Sequence, residues 1–205
     1  MSIQVTYSAN YTFSNLNDFF TDATRFFKNT DYNENIGSFA GAENPNPTVD
    51  LGFWGLFGTF SGTQYVQEGQ VGTESLGFII QAADGSYVDY TFFAGPSHTM
   101  YGEIASISFG RGLTQNANGE YSFAEDLVSF DGLDTIGLNA GFDATGGVIG
   151  RHEGTNTTHN IVDGLKDSEF TYFTDLLTQQ GIDLTLNDTI GTVGVAGLAD
   201  FDLVA

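Results

Sequence analysis

Apolar residues recur every three or four positions in two segments, which predicts two amphipathic helices. The first covers residues 14–28, with Ser14 as the expected N-cap and Lys28 suited to the C-terminal end of the helix dipole. The second covers about residues 167–180, with Ser168 as its cap and Gly181 as its stop. Both stripes are expected to be core. Shorter helices are predicted at residues 159–165 and 188–196, which makes about four in all.

Segments rich in β-branched and aromatic residues lie mainly between these helices and predict strands. They cover residues 3–8, 58–67, 76–82, 87–94, 100–109 and 121–123. The third and fourth are joined by Ala83-Asp84-Gly85-Ser86, a turn sequence that predicts a hairpin between them. Helices near the ends and strands with short turns between them predict an α+β fold, with the helices on one face of a single, strongly curved antiparallel sheet.

Composition changes this picture by excluding several partners. The 205 residues suit a single domain, and 26 acidic residues against 5 basic ones give a formal net charge of −21. Such a surface repels phosphate backbones and anionic membranes, so nucleic acid is excluded as a partner. The chain has no cysteine, which removes disulfides and thiolate metal sites. The acidic residues are scattered, which favours solubility outside the cell over a calcium site.

The two ends of the chain bear on its localisation. The first residues have neither a basic region nor an apolar run, so no cleavable signal peptide is expected. No apolar run is long enough to span a membrane, so insertion is not expected. The low content of Lys and Arg and the acidic–apolar tail at about residues 197–205 resemble those of proteins secreted by type I export machinery. We therefore expect an extracellular protein.

Standard enzyme motifs do not occur in the sequence. There is no Gly-x-Ser-x-Gly elbow, His-Glu-x-x-His motif, Walker loop or dinucleotide fingerprint. The spacing of His152 and His159 matches no standard zinc pair. Pairs of carboxylates occur by chance among so many acidic residues, so a glycoside hydrolase stays possible without being favoured. We expect a protein that is not an enzyme.

Residues 87–102 carry the most distinctive chemistry. Tyr90 lies on a predicted strand, and His98 follows it beyond a turn that contains Pro96. A return strand after this turn could bring the phenol and the imidazole together. Taken alone, these residues favour a structural tyrosine on a sheet beside a hydrogen-bonded histidine in a loop, which is the default interpretation.

The same segment resembles the haem-iron loop of HasA-type hemophores, the secreted haem-acquisition proteins of Gram-negative bacteria. The resemblance rests on Tyr90-Thr91-Phe92-Phe93, Pro96-Ser97-His98-Thr99 and Tyr101-Gly102. Further matches occur at Gly62-Thr63-Gln64-Tyr65, around His152 and His159, and at residues 181–188, so the resemblance covers nearly the whole chain. It implies a curved antiparallel sheet backed by helices, with haem held between two loops.

The resemblance also implies roles for individual residues. Tyr90 would coordinate the iron of ferric haem b as a phenolate, and His98 would accept the hydrogen bond of that phenol. A free phenol has a pKa of about 10 and is a poor ligand at neutral pH unless iron and a base remove its proton. Apolar contacts to the porphyrin would come from residues that match pocket positions of the family, namely Tyr65, Phe92, Phe93 and Met100.

The second loop departs from the family pattern. Many members carry a second axial ligand there, a histidine shortly after the first helix. The comparable stretch here, Phe27-Lys28-Asn29-Thr30-Asp31-Tyr32, contains no histidine. Either Tyr32 replaces that ligand, or Tyr90 holds the iron alone while loop residues such as Ile36 and Phe39 cover the second face. In the latter case Tyr32 is a surface residue.

Two functions of different classes are thus expected from the sequence. The resemblance implies a monomeric carrier that takes haem from host haemoproteins and delivers it to an outer-membrane receptor. The alternative is a haem-free secreted interaction protein, such as an adhesin or surface protein, for which the acidic charge and the aromatic residues around Trp54 would provide the contact surface.

Overall fold

The computed structural model describes residues 3–28, 37–47, 60–91, 99–137, 157–166, 169–186 and 192–194. The helices in these ranges are α1 (Leu16–Lys28), α2 (Thr157–Lys166) and α3 (Thr171–Gln179). The strands are β1 (Gln4–Tyr7), β2 (Ser38–Ala40), β3 (Ser61–Gly62), β4 (Gln64–Val71), β5 (Glu74–Ala82), β6 (Val88–Thr91), β7 (Thr99–Gly102), β8 (Ile104–Gln115), β9 (Tyr121–Asp131) and β10 (Thr192–Gly194).

The strands form two antiparallel sheets. The large sheet has seven strands in the order β10-β1-β9-β8-β5-β4-β2, and the small sheet has the order β3-β6-β7. The predicted α+β class with a large antiparallel sheet is confirmed, whereas the prediction of a single sheet was wrong. The strong curvature stays a prediction.

The predicted hairpin between residues 76–82 and 87–94 was also wrong. The chain does turn after β5, where the amide of Ser86 donates to the carbonyl of Ala83 at 2.8 Å. However, β5 pairs with β4 and β8, whereas β6 pairs with β3 and β7. The long strand β8 pairs with β5 from Gly77 to Ala82 and places Phe109 and Ile107 opposite Phe78 and Ile80, so the turn leads the chain out of the large sheet and into the small one.

Of the predicted helix ends, one was wrong by a single residue and one is confirmed. Helix α1 begins after Asn15, whose Oδ1 accepts a hydrogen bond from the amide of Asp18 at 2.9 Å, so Asn15 and not Ser14 is the N-cap. At the end of α3, the amide of Gly181 donates to Thr178, and the next amide donates to Leu177, both at 3.0 Å. This pair of bonds is the Schellman pattern, which confirms Gly181 as the stop.

Two predictions near the C-terminal helices need correction. The residue that precedes α3 is Phe170, which makes no side-chain capping bond, and the predicted cap Ser168 lies outside the described residues. Of the helix predicted at residues 188–196, the structure describes Thr192–Gly194, and this stretch is strand β10, paired with β1. The β-branched Thr192 and Val193 favour a strand, and β1 offers them an edge to pair with.

Phenylalanine side chains fill the core between the large sheet and the helices. Helix α1 packs against β4 and β5, and α2 packs against α3 and β7. Phe19 of α1 meets Phe109 of β8 with ring centroids 5.2 Å apart, and Phe173 of α3 meets Phe130 of β9 at 4.5 Å. All four rings are buried, so both helical stripes are core, as predicted. No helix among the described residues is long and apolar enough to cross a membrane.

Candidate functional site

Tyr90 occupies the central strand of the small sheet. Its amide donates to the carbonyl of Phe60 at 2.9 Å on one side, and Tyr90 pairs with Met100 of β7 on the other. The backbone at Tyr90 is therefore held on both sides by neighbouring chain segments. Tyr90 is only half-buried, at the boundary between the core and the surface.

Aromatic side chains connect Tyr90 with the core of the large sheet. The ring of Phe60 lies 6.1 Å from that of Tyr90 and 6.4 Å from that of Phe39. Phe39 in turn lies 5.2 Å from Tyr65, which is 6.2 Å from Phe78. We call Tyr90, Phe60, Phe39 and Tyr65 the aromatic row. The row links Tyr90, at one end, by apolar ring contacts to the buried Tyr65 at the other.

Two predicted pocket residues are more deeply buried than a ligand contact requires. Tyr65 lies at the inner end of the aromatic row with 5% of its surface exposed, and Met100 retains 1%. Met100 is the cross-strand neighbour of Tyr90, and such neighbours have Cβ atoms about 4.5–5.5 Å apart. The structure therefore brings Tyr90, Met100 and Tyr65 into one region. Met100 and Tyr65 are buried there, whereas Tyr90 is half-buried.

The remaining predicted site residues cannot be placed. Tyr32, Phe92, Phe93 and His98 lie outside the described residues. The pairing of Tyr90 with His98 stays a prediction for this reason. Within the described ranges, no group of three or more His, Asp and Glu side chains could hold a bare metal ion.

A buried carboxylate on the opposite face of β6 escaped the sequence reasoning. Asp89 is 3% exposed and accepts hydrogen bonds from Ser61 Oγ at 2.6 Å and from Asn44 Nδ2 at 2.7 Å. No basic side chain of the described segments forms an ion pair with it. The only local signal was an acidic residue between Val88 and Tyr90 on a predicted strand.

Tyr101 faces Asp89 across the sheet, because these two residues pair directly between β6 and β7. Its phenol oxygen is buried and makes no hydrogen bond of standard geometry, although it interacts with the Asp89 carboxylate. Burial, followed by the charge and hydrogen-bonding influence of Asp89, raises the pKa of Tyr101 from 10.0 to about 12. The neutral phenol is therefore favoured in the folded protein.

This raised pKa predicts a specific loss of stability in alkali. The folded state holds the phenol proton more tightly than the unfolded chain, so the contribution is fully present below pH 10.0 and is lost as the pH rises towards about 12. We expect Tyr101→Phe to lose less stability than the wild type across this range, as measured by urea unfolding at each pH. A parallel decline of the two proteins would contradict the prediction.

Comparison with known proteins decides the family. The family model for heme-binding protein A (HasA) matches residues 1–205. The chain belongs to this family. It is 30% identical to Hemophore HasA from Serratia marcescens over 154 residues, which make up 75% of this chain and 68% of that protein. The resemblance stated from the motif around Tyr90 is thereby confirmed.

Solved structures of HasA proteins share the fold. The apo structure of the hemophore HasA from Yersinia pestis aligns with a TM-score of 0.63, and the holo structure of that hemophore aligns with 0.62. Each is 23% identical, and each alignment covers 92% of this chain and 93% of the other. The large antiparallel sheet with helices is therefore the fold of HasA proteins.

Proposed function

We propose that this protein is an extracellular haem carrier that binds ferric haem b with Tyr90 as an axial ligand of the iron. Membership of the HasA family over residues 1–205 supports haem binding. We assign the site from the position of Tyr90. This half-buried residue lies at one end of the aromatic row, on a strand that is paired on both sides. A flat, largely apolar group with an iron centre fits such a surface, since the rings offer apolar contact and the phenol an oxygen ligand.

The chemistry proposed for Tyr90 requires a base. His98, eight positions further along the chain, is the proposed acceptor of the phenol proton or of its hydrogen bond. Bound ferric iron would supply the positive charge that stabilises a phenolate. An outer partner such as His98 also orients the ligand and tunes the metal. Phe92 and Phe93 are proposed to contact the porphyrin, and the buried Tyr65 and Met100 to support the region from below.

The second face of the iron has one tyrosine as its candidate ligand. The segment that follows α1 contains Tyr32 and no histidine. Coordination by Tyr90 alone is the alternative. The ferric electronic and paramagnetic-resonance spectra of the wild type and of Tyr32→Phe distinguish the two arrangements, because loss of an axial ligand changes the ligand field.

The carrier role follows from the same reasoning. We propose that the protein takes haem from host haemoproteins, acts as a monomer and delivers its cargo to an outer-membrane receptor. Export would use a type I machinery that reads the tail at about residues 197–205. The net charge of −21 supports an extracellular monomer, because a net charge far from zero keeps a protein soluble and monomeric.

The proposal is tested by titrating the purified protein with hemin. We expect a shift of the Soret band that saturates at one equivalent, followed by transfer of the hemin to outer membranes that contain a hemophore receptor. Membranes without the receptor are the control, and hemin should stay on the protein there. Absence of saturable binding would overturn the proposal and favour the haem-free interaction protein.

A further inference from the structure

We infer that Asp89 is a positioning residue for the haem site, because its carboxylate fastens the strand that carries Tyr90 to two other chain segments. This inference rests on the proposed function. It assigns to Asp89 no contact with haem or iron. Its role would be to hold Tyr90 in one orientation through the backbone of β6.

The two oxygens of the Asp89 carboxylate bind different segments. Oδ1 accepts from the hydroxyl of Ser61 on β3 at 2.6 Å, and Oδ2 accepts from the amide group of Asn44 at 2.7 Å. Ser61 precedes Asp89 by 28 positions and Asn44 by 45. One buried side chain therefore joins β6, β3 and residues 41–47. We call Asp89, Ser61 and Asn44 the carboxylate anchor.

The hydrogen bonds of the carboxylate anchor form a closed ring. The backbone amide of Asn44 donates to Ser61 Oγ at 2.9 Å, while the single hydroxyl proton of Ser61 is directed to Asp89. The side-chain oxygen of Asn44 accepts from the amide of Asn46 at 2.9 Å, so both ends of its amide group are used. Each of the three side chains is thus held by two hydrogen bonds, which restricts its orientation.

Stability alone is a poor reason for a carboxylate at this place. A buried carboxylate loses its hydration, and hydrogen bonds without a cation recover only part of that free energy. An apolar side chain on the same face of β6 would avoid this cost. The benefit of the anchor is instead positional, because it lies one residue from Tyr90 and its partners come from distant parts of the chain. Ligands perform best when surrounding hydrogen bonds preorganise them.

The test uses a reciprocal exchange of side chains. Asp89→Asn places an amide group opposite the amide of Asn44, whereas Asp89→Asn combined with Asn44→Asp restores a donor and an acceptor with the direction reversed. In the exchanged pair, the new carboxylate at position 44 can still accept from Asn46. We expect hemin loss to excess apomyoglobin to be about tenfold faster in the single variant and close to wild type in the exchanged pair.

Paramagnetic resonance of the ferric complex supplies a readout that a general loss of stability would not move. The single variant should show a broadened or split iron signal because Tyr90 adopts more than one orientation, and the exchanged pair should restore one signal.

Asp84→Asn, in the exposed turn, controls for the change in charge. Val5→Ala, buried in β1 away from the small sheet, controls for lost stability. Ser61→Ala is the milder variant if Asp89→Asn does not fold, with an intermediate rate expected.

The outcomes separate this inference from the proposed function. A wild type that does not bind hemin overturns both. The inference alone is overturned if the wild type binds hemin through Tyr90 but Asp89→Asn, or Ser61→Ala in its place, keeps the wild-type rate and signal. It is also overturned if the exchanged pair stays as fast as the single variant, or if Val5→Ala reproduces the faster loss and the altered signal.

Discussion

Replacing Tyr90 with Ala is expected to lower the affinity for hemin by about 100-fold or more, since even the outer partners of metal ligands typically contribute about 10–100-fold. The variant loses both the proposed iron ligand and the outer ring of the aromatic row. The small sheet should persist, because the backbone bond of Tyr90 to Phe60 and the pairing of β6 with β7 do not depend on its side chain. Titration monitored at the Soret band measures the affinity, and the ferric spectra report the lost ligand.

A conservative variant separates coordination from apolar contact. Tyr90→Phe keeps the ring that packs at 6.1 Å from Phe60 and removes only the oxygen. If coordination dominates, this variant should bind hemin nearly as weakly as Tyr90→Ala, and wild-type affinity in Tyr90→Phe would exclude Tyr90 as the ligand. Tyr121→Phe, on β9, is the matched control and should bind like the wild type.

The proposed partnership with His98 predicts a non-additive result. His98→Ala alone should weaken hemin binding by about tenfold, because the phenolate loses its base while the ligand remains. In Tyr90→Ala there is no phenol from which His98 could accept a proton, so adding His98→Ala should lower the affinity for hemin little further. A full additional loss in the double variant would mean that His98 acts independently of Tyr90, and an unchanged Soret shift there would place haem elsewhere.

Periodicity was sufficient for the elements that local sequence determines. The apolar stripe of α1 predicted the helix, and Gly181 predicted the end of α3, because side-chain spacing and capping act within a few residues. Strand pairing was not predictable in this way. The turn at residues 83–86 exists, yet β5 pairs with β8 and not with β6, since the partner of a strand is decided by packing between distant segments.

In the candidate site, too, residues within a local motif could be predicted, and residues that depend on distant partners could not. Tyr90 could be found because its motif lies within a short stretch of the chain. Asp89 is its immediate neighbour and was missed, because an acidic residue on a predicted strand is normally the solvent-facing position of the alternation. Its burial is explained by partners such as Ser61 and Asn44, which the fold brings from 28 and 45 positions away.

Gly102→Ala is expected to destabilise the protein by roughly 2–6 kcal/mol, the combined effect of backbone strain and overpacking. Gly102 ends β7 with a φ of 143°, in a region that side chains other than glycine rarely adopt. A Cβ added there would lie 2.1 Å from the carbonyl oxygen of Tyr87. Relief of this overlap would separate β7 from β6 and disturb the bonds of Gly102 with Ile136, at 2.9 and 2.8 Å.

Gly85→Ala is the matched control because it should destabilise the protein through backbone strain alone. Gly85 also has a positive φ, 77°, but a Cβ there would meet no atom within 4 Å, so only strain of about 1–2 kcal/mol is expected. Urea unfolding of both variants measures the difference, and equal losses would show that the contact with Tyr87 relaxes at no cost.

Since β7 pairs with the strand that carries Tyr90, Gly102→Ala should also weaken hemin binding in protein that is still folded, whereas Gly85→Ala should not. A stable Gly102→Ala variant with wild-type hemin affinity would mean that the geometry of the small sheet is not what presents Tyr90.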